Sequence, residues 1–147
     1  MKRADLLTVT SLLAIVLMTL HLADDVARGF EPGGLSNLAG MGILVVWLYA
    51  ALALGGRRSG YLLLGLGALL AAAMPVVHLS GAGVGGRIAA SPRGYFFIWT
   101  LFALGVTGAF SFLLAAQGLW RLRPGQRDGL EQPARSGPPA AGGAETG

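Results

Sequence analysis

The chain contains no cysteine. That excludes disulfides, thiolate metal centres and cysteine nucleophiles, and it leaves the redox compartment undetermined. Charge is also scarce. Only 12% of the residues are Asp, Glu, Lys or Arg, about half the share of an average soluble domain, and these charges avoid four long runs altogether. Histidine occurs twice, at His21 and His78, so any imidazole chemistry has to use these two.

Apolar sequence takes the place of what is missing. Residues 6–22, 38–54, 61–79 and 95–120 carry no Asp, Glu, Lys or Arg. A bilayer core about 30 Å thick is crossed by roughly 20 helical residues, and each run is near that length. A soluble domain would show amphipathic stripes instead, and the mean hydropathy of +0.63 points the same way. The net charge of +4 would suit a nucleic-acid ligand, but Lys and Arg stand at the ends of the apolar runs, as membrane flanks do. No nucleic-acid partner is expected; the lipid bilayer is. The abundance of Gly, Ala and Leu suits helices whose backbones approach closely.

The flanks predict an orientation. Lys2 and Arg3 precede the first run, Arg57 and Arg58 separate the second from the third, and Arg121, Arg123 and Arg127 follow the fourth. In a four-span topology these share one side. The other side holds Arg28, Arg87 and Arg93 together with Asp24, Asp25 and Glu31. The excess of Lys and Arg marks the first side as cytoplasmic. The expected fold is all-α, an integral membrane antiparallel four-helix transmembrane bundle, N-in/C-in, in the cell membrane with both termini cytoplasmic. Tyr61 and Trp120 fall at the inner interface, Tyr95 and Trp99 near the outer one. Cleavage of the first helix as a signal peptide would place His21 or Asp25 where a small residue is wanted, so the helix is expected to be retained.

The helices are expected at about residues 5–28, 37–54, 60–80 and 93–121, within a transmembrane domain of residues 1–123. Gly29 and Pro32 stop the first. Ser36 or Asn37 caps the second, the tight glycine-rich turn at 55–60 joins the second to the third, and Ser91-Pro92 starts the fourth. Residues 124–147 are Pro, Gly, Ala and charge, the composition of a disordered cytoplasmic tail.

His21 and His78 both lie in the last membrane turn of outward-running helices, at matching depth. Stepping back by threes and fours, His78 shares its face with Met74, Ala71 and Gly67, and His21 with Met18 or Leu17, Ala14 and Thr10. Faces with small residues pack against helices, so both imidazoles should point into the bundle. Pro75 removes a backbone hydrogen bond before His78, frees the Ala71 carbonyl and favours a kink. Asp25 follows His21 by four residues and shares its face; Asp24 is on the neighbouring edge. Both acids sit where a helix dipole disfavours negative charge, and Arg28 or a bound cation would compensate. Two imidazoles and a carboxylate suit a divalent transition metal such as zinc. Met18 and Met74, each one turn before a histidine, would add the thioethers that suit copper(I), although methionine in a membrane helix is commonly packing filler. A haem ligated axially by the two histidines is a further form of this site, needing a flat cavity beside Gly67 and Ala71.

Other motifs carry less. Residues 81–86 match G-x-G-x-x-G, but no strand precedes them and no Rossmann helix follows, so no nucleotide is expected. No Ser-His-acid set or nucleophile elbow is present, which speaks against an enzyme. The four-helix small multidrug transporters are similar in span count. Their first helix carries a membrane-embedded glutamate, which this one lacks, Asp5 lying at its inner edge.

The segments His21-Leu22-Ala23-Asp24-Asp25, Val46-Trp47-Leu48-Tyr49 and Pro75-Val76-Val77-His78 resemble those of small, uncharacterised bacterial four-span integral membrane proteins. The resemblance covers about residues 5–123 and implies fold and location, with no activity. Two function classes follow. One is an accessory or structural membrane component whose partners, another membrane protein or a second copy in a homo-oligomer, bind through helix faces such as Gly105/Gly108/Ala109. The other is a metal- or haem-binding membrane protein with an outward site at His21, Asp25 and His78, joined by Asp24, Met18 and Met74. The first is the default for a membrane protein without a catalytic motif. The second alone names chemical groups.

Overall fold

The computed structural model describes residues 3–29, 37–80, 88, 91–92 and 94–122. Within them the chain is all-α, with α1 at Arg3–Arg28, α2 at Leu38–Ala53, α3 at Arg58–Ser80 and α4 at Gly94–Arg121. The expected tail at 124–147, the glycine-rich loop at 81–86, Ser36 and Pro32 lie outside the described residues.

Length and composition separate the helices. α1, α3 and α4 are each long and apolar enough to cross a membrane. α2 is equally apolar but has 16 residues, which at 1.5 Å per residue gives about 24 Å. The turn at 54–57 ends it early, and Gly56 adopts a positive φ of 76° that a side chain would resist. Gly29 closes α1 the same way, with φ 76° and a bond from its N–H to the Val26 carbonyl.

Two expected caps are not formed. Asn37 occupies the N-cap of α2 but makes no side-chain capping bond. Ser91 donates its hydroxyl back to the Ile88 carbonyl at 2.8 Å, and α4 begins later, at Gly94. The preference of these residues for caps is a local one, and here the Ile88 carbonyl takes the Ser91 hydroxyl. Pro75 sits inside α3 without ending it.

α3 and α4 make the most extensive contact, α1 lies along α4, and α2 packs more lightly on α3 and α1. The α3–α4 seam is built from small residues. A Cβ on Gly105 would strike the Pro75 ring, one on Gly108 would come within 2.6 Å of the Ala72 nitrogen and 2.8 Å of the Ala68 carbonyl, and one on Gly118 would strike the Tyr61 ring. Gly105 and Gly108, expected to be open to a partner, are therefore covered by α3. The start of α1 meets the end of α4 through Arg3, which donates to the Gln117 side chain at 3.0 Å.

The surface is inverted relative to a soluble protein. Large aliphatic and aromatic side chains, among them Val45, Leu52, Val76, Val106 and Leu113, face outward, while Ser11, His21, Asp25, Thr100 and Ser111 are buried. Apolar area on this scale is not tolerated against water. Several hydroxyls (Thr10, Thr19, Thr100 and Thr107) return their protons to carbonyls of their own helix, as an apolar surrounding requires. Tyr95, Trp99 and Trp120 are exposed, where amphipathic rings can meet an interface.

The seam gives a test. Gly108→Ala should lower thermal stability in detergent by about 1–3 kcal/mol, because backbone atoms cannot move aside for the methyl group. Gly42→Ala, where an added Cβ meets nothing within 4 Å, should leave the melting temperature unchanged.

Candidate metal centre

Three ionisable side chains converge at one end of the bundle. His21 and Asp25 come from consecutive turns of α1, and His78 from the end of α3. His21 Nε2 lies 3.3 Å from His78 Nε2 and 3.5 Å from Asp25 Oδ2, and His78 Nε2 lies 3.6 Å from the same oxygen. His21 and Asp25 are 2% and 6% exposed. The faces inferred from the sequence place them: Ala14 and Leu17 below His21 and Ala71 below His78 are all buried.

Phe97 of α4 completes the enclosure. Its ring centroid is 5.1 Å from that of His21 and 5.7 Å from that of His78, and the side chain is wholly buried. Sequence reasoning passed over it in favour of Tyr95 and Trp99. The signal was there: Phe97, Leu101, Leu104, Gly108, Ser111 and Ala115 repeat at three and four residues and form the buried face of α4.

The hydrogen bonds assign one tautomer. His78 Nδ1 is 2.9 Å from the Met74 carbonyl, so Nδ1 donates its proton there and Nε2 is the ring nitrogen directed at the cluster. Metal-bound imidazoles are held in this way, with the far nitrogen donating to a carbonyl. His21 Nδ1 and Asp25 Oδ1 are buried and have no hydrogen-bond partner among the described residues. A buried carboxylate is expected to be paired or to coordinate a metal.

The distances and the donor types together narrow the ion. A tetrahedral site with metal–ligand bonds of about 2.0–2.1 Å sets its donors about 3.3–3.4 Å apart, close to the three separations here. Octahedral magnesium would draw them to about 2.9 Å. The nitrogen–oxygen donor set suits zinc and related divalent ions, and three protein ligands leave a fourth position open.

The remaining candidates are placed differently. Asp24 is ion-paired with Arg28, whose Nε donates to Oδ2 at 2.6 Å, and is not one of the three convergent donors. Met18 and Met74 line a cavity of about 190 Å³ together with Trp47 and apolar residues of α2, and Met74 also packs against Phe97 and its neighbours. Haem does not fit. Phe97 packs against both imidazoles, and beside Gly67 the Trp47 indole stands within 2.5 Å of where a Cβ would be, so the flat slot that a porphyrin needs is filled.

The fold and the cluster together define a helical protein with helices of membrane-spanning length and a three-donor His/Asp group. Comparison with protein-family models, with curated proteins and with solved structures finds no match to the chain. Function therefore rests on the geometry.

Two outcomes follow from this arrangement. Hemin added to the purified protein should produce no bis-histidine Soret spectrum. Replacing both thioethers, Met18→Leu with Met74→Leu, should leave zinc affinity within about twofold, because leucine conserves their packing volume and the three convergent donors are nitrogen and oxygen.

Proposed function

We propose that this chain is a four-span protein of the cell membrane that binds a divalent transition metal, zinc foremost, through His21, Asp25 and His78. The observation that carries this is the near-equilateral triangle of donor atoms from two helices, with edges of 3.3, 3.5 and 3.6 Å. The Met74 carbonyl, which orients His78, and the Phe97 ring, which packs against both imidazoles, support it. Ionisable groups inside a membrane segment are costly and mark function by default.

In this proposal the helices form an antiparallel bundle with both termini cytoplasmic. The bond from Arg3 to Gln117 is consistent with α1 and α4 running in opposite senses, and Arg57 and Arg58 would share the end of Arg3 and Arg121. α2 crosses despite its length, through local thinning of the bilayer and flanking residues that reach the interface. The metal site then faces outward. An accessory role through helix association is less well supported, since α3 covers Gly105 and Gly108.

Wild-type protein purified in mild detergent should bind one zinc ion per chain. Loss of an outer-shell partner alone costs about 10–100-fold in affinity, so the His21→Ala/His78→Ala variant should lose at least about 100-fold. Affinity should also fall on acidification, as protons compete for the imidazoles. Equal metal content in wild type and variant, read by elemental analysis, would overturn the site. Reporter fusions should read cytoplasmic after Gly147 and external within residues 81–86; an external C-terminus would reverse the orientation.

A further inference from the structure

Above the triad lies a second arrangement that the ligands do not explain. Asp24 and Arg28 occupy the last two turns of α1 and pair at 2.6 Å, with both side chains largely sheltered. They line a surface cleft of about 260 Å³ with Ala27, Ser91 and Pro92. The Arg28 guanidinium carbon stands 5.5 Å from the centre of the Phe97 ring, and that ring packs against both ligand imidazoles. One residue therefore reaches from the cleft to the aromatic side of the site. Asp25, one residue from Asp24, is buried in the triad and is not part of the cleft lining.

Charge accounting gives these contacts a direction. Arg28 stands at the C-terminus of α1, where the helix dipole favours a cation, and it is paired with Asp24. A divalent ion held by Asp25, one helical turn away, would be a like charge to Arg28 and an opposite charge to Asp24. The cleft is lined by Asp24 and not by the buried Asp25, so an ion approaching from that side would meet the Asp24 carboxylate first.

We infer that Asp24 and Arg28 control entry to the metal site, Asp24 as the capturing carboxylate and Arg28 as a resident counter-cation that yields when the site fills. This presupposes the metal site proposed above and adds two residues that are not ligands of the seated ion. Their effects have opposite signs. Arg28 opposes the bound ion, so removing its charge tightens binding. Asp24 attracts the incoming ion and offsets Arg28, so neutralising it weakens binding and slows loading.

The experiment uses the full chain in detergent, with Zn²⁺ displacing Co²⁺ followed by the visible absorption of tetrahedral cobalt, and stopped-flow mixing for the loading rate. Arg28→Gln should bind Zn²⁺ on the order of tenfold more tightly than wild type, and Asp24→Asn on the order of tenfold more weakly. Asp24→Asn should also load several-fold more slowly, whereas Arg28→Lys, which keeps the charge, should match wild type. If wild type binds and the two neutralising variants shift affinity in the same direction, or not at all, the pair is a structural helix-end bridge and entry control is overturned while the metal site stands. If wild type binds neither ion, the metal site falls and entry control falls with it.

Discussion

A carboxylate inside an apolar bundle has to be compensated, and that requirement organises one end of this protein. Asp25 is nearly inaccessible, and among the described residues the imidazoles of His21 and His78 lie beside its Oδ2. A buried acid left without partners would cost several kcal/mol. α1 and α3 touch sparingly, and the triad is a place where their side chains meet. A cation in the triangle would satisfy the acid and both nitrogen lone pairs together.

The rest of the bundle positions that junction. Small residues along the α3–α4 seam bring the two backbones together, with Pro75 seated on Gly105 and Ala71 beside Gly108. This fixes the height of His78 against α4 and sets Phe97 beside both histidines. α1 follows α4 from the Arg3–Gln117 contact at one end to the Arg28–Phe97 contact at the other. The site is thus held by three helices, two that supply donors and one that supplies a wall. α2 stands aside from it and covers Gly67 with the Trp47 indole instead.

Much of this could be read from the residues in order. The charge-free runs gave four helices whose bounds differ from the observed ones by one or two residues. Counting by threes and fours gave the inward faces of His21, Asp25 and His78. Long-range partners could not be read, because periodicity shows which face is buried and not what buries it. Gly105 and Gly108 looked like a free association face, and only the packing of α3 shows them occupied. Asp24 was a candidate ligand from the edge beside the His21 face that Asp25 shares; the turn of the helix sends Asp25 to the triad and Asp24 to Arg28. Phe97 was hidden among exposed aromatic neighbours. Asn37 makes no capping bond, and the Ser91 hydroxyl goes to the Ile88 carbonyl instead of a helix N-terminus.

The central claim concerns atoms, so the most direct measurement is X-ray absorption spectroscopy at the metal edge of the zinc-loaded protein. The account predicts a four-coordinate first shell of nitrogen and oxygen at about 2.0–2.1 Å, with the outer-shell scattering of two imidazoles. Sulfur scattering at thioether distance, a six-oxygen shell, or the absence of imidazole scattering would contradict it.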